Sequence, residues 1–343
     1  MGRPYTTDLM PPILLSAGLA TGIGSLPHHD PMAAAASVLR LLPGLPAAPQ
    51  LPARTPLEGM IAQSVRALPE VVLGTEGEIE RIDLSLIEAP IVVGFDADAH
   101  GGLLAFLTHI ERQPQPPAFV KVQVTGPLTL GIALLDAGLP ASIAFERAGL
   151  LARAWARALE HLVAERLPNT GLVLFFDEPG LVAFRDGGAP IDRERATDLL
   201  SGALAAVACT VGVHVCGEGD LRIALDAGPQ VLGVEVAPSL LSHAAALGRH
   251  MEGDGWIAWG AVPTDRPVGE SAAPLWKNLI DCWCELTRRG CDGLRLRQQA
   301  LVTPACGLAG HGVSQAERSM RLAREIGNRI HDQAVATKLT VGA

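Results

Sequence analysis

A histidine and a cysteine two residues apart end one of the β-branched runs of the sequence. They belong to the stretch VGVHVCGEGD, in which the run from Val211 to Val215 is typical of a buried strand. Residues two apart on a strand point to the same face, so His214 and Cys216 would lie side by side at the strand end. A nitrogen and a sulfur placed there could bind one metal ion. A free buried cysteine beside a satisfied core histidine is the commoner explanation of such spacing alone.

Two further residues could complete a metal site at neighbouring strand ends. Glu235 lies in the apolar segment GVEVAP, where a buried carboxylate must be paired or coordinating. Cys306 lies in TPACGL, after the last apolar run. One histidine, two cysteines and one glutamate form a mixed donor set that suits Zn²⁺. Because these residues are scattered over three strand ends, an open catalytic site is favoured over a closed structural one.

Short apolar runs alternate with longer helical patterns along most of the chain. Seven runs fit strands, at about 19–27, 118–127, 171–180, 210–217, 231–236, 256–262 and within 294–307. Helical patterns occur at about 31–44, 141–166, 191–207, 219–227, 238–250, 271–289 and from a capping box at Ser314 and Glu317 to about 333. Strands that are apolar along their whole length are typical of a parallel sheet covered by helices.

The count of seven or eight strands predicts an α/β fold, specifically a single (β/α)8 TIM barrel rather than an open sheet. The stretch from about 45 to 117 is the least regular part of the sequence. It starts with a Pro-rich loop, and its segments VVLG and IVVGFD indicate extra short strands or one hairpin. We therefore expect an irregular N-terminal elaboration there. No linker separates two domains, so residues 1–343 are predicted to form one domain.

The overall composition favours an enzyme that acts on a small molecule. Of the 343 residues 48% are hydrophobic, and the formal net charge is −9. No run of Lys and Arg exceeds two residues, which argues against binding to nucleic acid or to an anionic membrane surface. Six cysteines in a chain of this length do not indicate a disulfide scaffold. Because no convincing signal peptide or membrane-spanning run is present, a cytoplasmic location is expected.

The C-terminal ends of the predicted strands carry most of the residue types that could do chemistry. In a TIM barrel the catalytic groups gather at these ends. In chain order the ends carry Ser25, Asp177, Glu178, His214, Cys216, Glu235, Asp265 and Cys306. The opposite ends offer little beyond Gly, Ala and Thr. The sequence therefore predicts a single functional rim.

Six segments resemble, in order and spacing, the catalytic barrel of the cobalamin-independent methionine synthase family. They are TGIGS, KVQVTGP, FFDEPG, HVCG, VEV and TPACGL. The resemblance covers nearly the whole chain, least clearly the stretch 45–117, and extends to the uroporphyrinogen decarboxylases that share the barrel. It implies a zinc ion held by His214, Cys216, Glu235 and Cys306.

The resemblance also implies how an amino-acid substrate is held. Ile23, Gly24 and Ser25 would bind its carboxylate, and Asp177 its amine. Glu58, in PLEGM, is the candidate for a second acid at the amine. The implied reaction is part of methionine biosynthesis: a methyltransferase moves a methyl group to homocysteine through a zinc-bound thiolate, giving methionine.

The identity of the methyl donor stays open. Enzymes of the family have two barrels, and this sequence matches only the second. The donor could therefore be 5-methyltetrahydropteroyl-glutamate, a folate, or methylcobalamin, a corrinoid, either free or on a carrier protein. The partners expected from the resemblance are this donor and a small-molecule thiol.

Three other interpretations compete with a methionine synthase. A corrinoid-dependent methyltransferase that acts on another thiol would also use an H-V-C-G segment followed by a distant cysteine. A zinc-binding or thiol-binding protein without turnover would keep the ligands but lack a donor pocket. A decarboxylase ranks last, because it needs a cluster of arginines near the first strand and only Arg3 precedes residue 40.

Two pairs of residues near the predicted rim keep open roles. His28 and His29 follow the first strand in SLPHHDP and could contact substrate, although a helix-entry loop explains them nearly as well. Asp265 and Arg266, in AVPTDRP, lie after a strand and could bind substrate or donor.

Overall fold

The computed structural model describes residues 15–185 and 189–341, with side chains to Ala336. Arg3, the one arginine before residue 40, lies outside this part of the chain. The first half forms α1 (Pro31–Leu41), α2 (Met60–Val65), β1 (Val71–Leu73), β2 (Ile79–Ile82), α3 (Ala97–Glu111), β3 (Phe119–Thr125), α4 (Pro127–Asp136) and α5 (Ala141–Arg166). The second half forms β4 (Gly171–Asp177), α6 (Arg193–Leu204), β5 (Thr210–Val215), α7 (Leu221–Asp226), β6 (Val231–Glu235), α8 (Ala244–Glu252), β7 (Trp256–Val262), α9 (Ala273–Arg288), α10 (Arg295–Gln298), β8 (Ala300–Pro304) and α11 (Val313–Val341).

Six parallel strands form the central sheet, in the sequential order β3-β4-β5-β6-β7-β8. Each strand pairs with the next in the chain, and helices connect successive strands, which is the TIM-barrel-like arrangement of an α/β protein. β1 and β2 form a separate antiparallel pair. None of the described helices combines the length and apolar character needed to cross a bilayer.

The strand predicted at 19–27 is wrong as a continuous strand. Single parallel bridges join this segment and the one after α1 to the sheet, pairing Ala20 with Val302 of β8, Ser25 with Gln50, and Ala47 with Lys121 of β3. The ladder is interrupted because Gly24 has a φ of +149°, which lies outside the region of regular strands. The segment nevertheless lies beside β8, where the predicted barrel needs its first strand.

The elaboration at 45–117 is irregular, as predicted, but its elements differ from the expectation. VVLG does contribute a strand, β1, whose hairpin partner is β2. IVVGFD, at 91–96, forms no strand. The 15-residue helix α3, which begins after the cap Asp96, was not predicted, because its glycine pair and mixed composition hide the helical period.

An ion pair in the interior ties this elaboration to the helical layer. Arg147 of α5 donates to both carboxylate oxygens of Glu70, at 2.7 and 2.9 Å, and also to the carbonyl oxygen of Ala89 at 3.3 Å. Glu70 is fully buried, so removal of either partner would leave an uncompensated charge. The pair therefore holds the elaboration against α5.

The helix at 141–166 has the predicted bounds, whereas the last helix differs from the prediction at both ends. α11 begins at Val313 and continues to Val341 rather than to about 333. Glu317, predicted as part of the capping box, accepts hydrogen bonds from Ser37 Oγ at 2.6 Å and from Arg40 at 2.8 Å. These bonds join the last helix to the first.

The sheet separates two apolar layers. A small cluster fills its inner face, made of Leu15, Leu45, Val173, Phe175, Val231, Trp256, Ala258 and Leu301. The larger cluster lies between the outer face and the helices. Since alternate residues of a strand share a face, Val173, Phe175 and Asp177 of β4 all point inward. The inner face is thus apolar at its base and polar at the C-terminal ends of the strands.

His100 interrupts α3 and is buried without a hydrogen-bond partner on either ring nitrogen among the described residues. Its ring lies 5.2 Å from that of Phe95 and 5.1 Å from that of Trp155, measured between centroids. Burial lowers the pKa of His100 to about 4.

We expect His100 to make the fold sensitive to acid. Between pH 6.5 and about 4 the unfolded histidine binds a proton that the buried ring does not. The free energy of unfolding should therefore fall on acidification, by at most about 1.4 kcal/mol per pH unit from this residue. Urea unfolding at pH 7 and pH 5 should show a smaller loss for His100→Phe than for the wild type. An equal loss in both proteins would contradict this assignment.

Candidate metal centre

Three of the four predicted metal ligands meet at the C-terminal edge of the sheet. Cys216 Sγ lies 3.0 Å from His214 Nε2 and 3.1 Å from Cys306 Sγ. The potential ligand atoms of all three residues lie within 4.8 Å of one another. His214 is 2% exposed, and the two cysteines are half-buried. Since Cys216 and Cys306 are 90 positions apart in the chain, the fold produces this cluster and local sequence does not.

Local structure around β5 explains the position of the imidazole. His214 is the second-last residue of β5, and it pairs in register with Gly233 of β6. A Cβ atom on Gly233 would lie only 3.1 Å from His214 Nδ1. The glycine therefore leaves the space that the ring fills. After Cys216 the chain turns away at Gly217, which has a φ of +58°.

The two thiols of the cluster differ in their electrostatics. Hydrogen bonds from the Cys216 thiol and from His214 hold the pKa of Cys306 below its usual value. The same contact with Cys306, together with burial, raises the pKa of Cys216. Of the two thiols, that of Cys306 therefore loses its proton more readily than that of Cys216. A thiolate beside an imidazole is the donor type that Zn²⁺ prefers.

Glu235, the fourth predicted ligand, ends the neighbouring strand β6. Continuing the register of β5 with β6 by one residue beyond Val215 and Val234 places Glu235 beside Cys216. Burial raises its pKa, and the negative charges of Asp265 and Cys306 add to this effect. Among the described residues Glu235 does not belong to the compact group of three, so its coordination stays a prediction.

Asp177 lies on the same rim with an unsatisfied oxygen. It ends β4, where it pairs in register with Thr125 on one side and with His214 on the other. It is 7% exposed, and its Oδ1 atom has no hydrogen-bond partner among the described residues. Burial raises its pKa, while the positive charge of Lys121 acts in the opposite direction. A buried carboxylate oxygen without a partner indicates room for a donor from a ligand.

Glu178, the next residue, faces away from the rim and has a structural role. Its carboxylate accepts hydrogen bonds from the backbone of Leu128 and Thr129, each at 2.8 Å, and from Thr129 Oγ1 at 2.6 Å. These donors form the first turn of α4, where a carboxylate is favoured by the helix dipole. Burial raises the pKa of Glu178 to about 7.

The segment Ile23–Ser25 borders the metal cluster. Ser25 Oγ occupies the space that a Cβ atom on Gly307 would need, and the backbone oxygen of Ser25 accepts from Leu308 N at 2.9 Å. Cys306 immediately precedes this contact. The structure therefore brings the predicted carboxylate-binding segment next to a predicted zinc ligand.

Glu58 is buried in the elaboration with partners already in place. Its carboxylate accepts from Leu51 N at 2.9 Å, from Arg54 at 2.7 Å and from Gly102 N at 3.4 Å. Burial raises its pKa, which the backbone bond from Leu51 and the ion pair with Arg54 counteract. A contact between Glu58 and a substrate amine stays a prediction.

Neither of the remaining candidate pairs belongs to the compact group of His214, Cys216 and Cys306. His28 is buried, and desolvation lowers its pKa, while His29 is exposed. Asp265 and Arg266 form an ion pair of 3.1 Å at 64% exposure, although both charges influence Glu235. Sequence reasoning did not consider Lys121, which is buried inside the sheet. The signal was present, because Lys121 interrupts the apolar run of AFVKVQVT at an inward-facing position.

A cleft of about 580 Å³ opens beside Glu235. Its walls are the segment 217–222 that follows Cys216 and the segment 237–243 that follows β6, with Arg185, Arg193 and Arg289 at the edge. A volume of this size is typical of small-molecule sites. Of the four predicted ligands only Glu235 lines this cleft, so the cleft offers space for a second ligand beside Glu235.

Comparisons with known proteins identify the fold. No protein-family model and no curated protein matches the chain. A B12-independent methionine synthase from Shewanella sp. W3-18-1, solved in complex with selenomethionine, matches with a TM-score of 0.58 at 13% sequence identity. The match covers 94% of this chain and 100% of that one. At this identity the likeness shows the fold: the chain has a methionine-synthase-like architecture.

Gly233→Ala tests the geometry around His214. The added Cβ would press on the imidazole, and we expect zinc affinity to fall at least about tenfold, as for other changes that disturb the orientation of a ligand. Affinity can be measured by competition with a chromophoric chelator. Gly310→Ala is the matched control, because a Cβ there meets nothing within 4 Å. Equal affinities of the two variants would show that this glycine does not position the ligand.

Proposed function

We propose that the protein is a zinc-dependent methyltransferase of the cobalamin-independent methionine synthase type, which transfers a methyl group to the thiol of homocysteine. The observation that carries the proposal is the convergence of His214, Cys216 and Cys306 on one rim. Asp177 and the segment Ile23–Ser25 adjoin the same cluster. An amino-acid site and a thiophilic metal site side by side are what homocysteine requires.

The residues of the cluster fit zinc by their chemistry. His214, Cys216 and Cys306 supply one nitrogen and two sulfurs, and we propose Glu235 as the fourth ligand because it ends the adjoining strand. When bound, zinc would supply the Lewis acidity that keeps a substrate thiol deprotonated near neutral pH. The hydrogen bonds that lower the pKa of Cys306 favour a thiolate donor at this position.

The chain's own residues would bind and orient the amino acid. The unpartnered Oδ1 atom of Asp177 is available to accept a hydrogen bond from the substrate ammonium group. Ile23–Ser25 would bind the substrate carboxylate, and Glu58 would be a second acid that contacts the ammonium group. Selenomethionine bound to the structural neighbour is an amino acid of the product's shape, which supports this class of ligand.

We propose that the donor is a methylated folate rather than a corrinoid. The structural neighbour is described as B12-independent, and all of its length is covered by this chain. A chain of this extent is therefore compatible with a B12-independent synthase. The cleft beside Glu235 would admit the donor to the thiol from the open side of the rim.

We further propose that the sheet closes as a (β/α)8 barrel. The bridges of Ala20 to β8 and of Ala47 to β3, with the Ser25–Gln50 bridge between them, connect the two edges of the six-stranded sheet. The segments near 20–25 and 47–50 would then serve as the first two strands. Closure would enclose the inner apolar cluster and leave the rim as the entrance.

Metal content and methyl transfer test the proposal together. The wild type should retain about one zinc per chain, and Cys216→Ser and Cys306→Ser should each lose most of it, because removal of one thiolate opens the site. Cys284→Ser is the matched control, since Cys284 is exposed on α9. A reductant must be present, because the two sulfurs lie close enough to oxidise.

The zinc-loaded wild type should then convert homocysteine to methionine with methylated folate, and both ligand variants should be inactive. Activity only with methylcobalamin would identify the corrinoid alternative. Zinc binding and homocysteine binding without turnover with either donor would instead indicate a binding protein. Full zinc content and activity in Cys306→Ser would refute the proposed centre.

A further inference from the structure

Lys121 is a fully buried lysine that none of the proposed steps uses. It lies on the inner face of β3 and is 1% exposed. Among the buried side chains that the structure describes, it is the sole lysine. Lysine is almost never found fully buried unless it is paired, because its charge is costly to remove from water. No carboxylate lies within ion-pair distance of Lys121 in the described part of the chain.

Lys121 contacts the segment Ile23–Ser25, which is proposed to bind the substrate carboxylate. Its Nζ donates to the backbone oxygen of Ile23 and, at 3.2 Å, to Gln123 Oε1. Gln123 in turn donates to the backbone oxygen of Ala48 at 2.8 Å and packs against Gly24. An ammonium group has three donors, so one remains for another acceptor.

The positive charge of Lys121 interacts with the negative charge of Asp177 on the rim. Burial lowers the pKa of Lys121 to about 8, while the negative charge of Asp177 acts to keep it protonated. The ring of Phe175 lies beneath Nζ, with 4.9 Å to its centroid, so the cation faces an apolar base on that side. The unpaired cation and the unpartnered carboxylate thus lie on the inner face of adjacent strands.

We propose that Lys121 is the positioning residue for the carboxylate of the amino-acid substrate. It holds the carbonyl of Ile23 and places a positive charge beneath Ile23–Ser25, while Asp177 presents a negative charge to the ammonium group. The two fixed charges match the two charges of a zwitterion. This inference rests on the proposed function, because it takes an amino acid as the ligand. Lys121 acts through the Ile23 backbone and its charge, not through the reacting sulfur.

A comparison of two ligands separates this role from a purely structural one. Homocysteine and 3-mercaptopropylamine share the thiol and the amine, but only homocysteine has a carboxylate. Their dissociation constants from the zinc-loaded protein can be measured by titration calorimetry, without a methyl donor. We expect the wild type to bind homocysteine more tightly than 3-mercaptopropylamine. In Lys121→Met the ratio of the two dissociation constants should fall at least about tenfold, which corresponds to about 1.4 kcal/mol. The affinity for 3-mercaptopropylamine should change less than about twofold, and zinc content should be unchanged.

Val122→Ala is the matched control. Val122 is buried on the same strand but faces the helices, so its truncation loosens packing without altering charge, and the ligand preference should persist. Lys121→Gln is a second test variant, because it keeps a hydrogen-bond donor but loses the charge. If neither Lys121 variant folds, the residue is structural and the inference is overturned.

The outcomes distinguish this inference from the proposed function. A wild type that binds neither thiol refutes the amino-acid site, and with it both ideas. A wild type that prefers homocysteine supports the proposed function by itself. If Lys121→Met then keeps the full preference, only the role of Lys121 is refuted.

Discussion

The hydrogen-bond register of the parallel sheet is the constraint on which the site depends. Asp177 of β4 lies level with His214 of β5, and His214 lies level with Gly233 of β6. Residues at one level of a sheet point to the same face. The carboxylate of Asp177, the imidazole of His214 and the space left by the missing side chain of Gly233 therefore lie side by side. A shift of one residue in either pairing would turn these groups toward the helices. Backbone hydrogen bonds remote from the rim therefore determine what chemistry the rim can do.

The inner face combines this geometry with an unusual burial of charge. Lys121 and Asp177 are both buried, yet neither forms an ion pair with the other. Such an arrangement lowers stability, because each group is removed from water without full compensation. Glu178, one residue from Asp177, has its charge satisfied by the start of α4. Of these two adjacent carboxylates, the one with an unpartnered oxygen is therefore the one that faces the cluster, as is typical of functional sites.

The elaboration between α1 and β3 supports the segment proposed to bind the amino acid. It contributes Gln50, which pairs with Ser25, and the buried acid Glu58. The ion pair between Glu70 and Arg147 holds this stretch against α5. Its irregular course interrupts the alternation of strands and helices in the sequence. In the structure the same course places Gln50 beside Ser25, where its backbone hydrogen-bonds to Gly24 and Leu26.

The sequence by itself determined the parallel α/β architecture and most of the rim, because apolar strands, helical periods and the ends of strands are local patterns. His214, Cys216, Asp177 and Cys306 could be named for that reason. Only the tertiary structure decided that the sulfur of Cys306 meets that of Cys216 across the sheet. It also decided that the first segment pairs by single bridges, and that the inward-facing Lys121 donates a hydrogen bond to the backbone oxygen of Ile23. These features depend on register, on the positive φ of Gly24 and on contacts between residues far apart in the chain, and such contacts leave no local pattern.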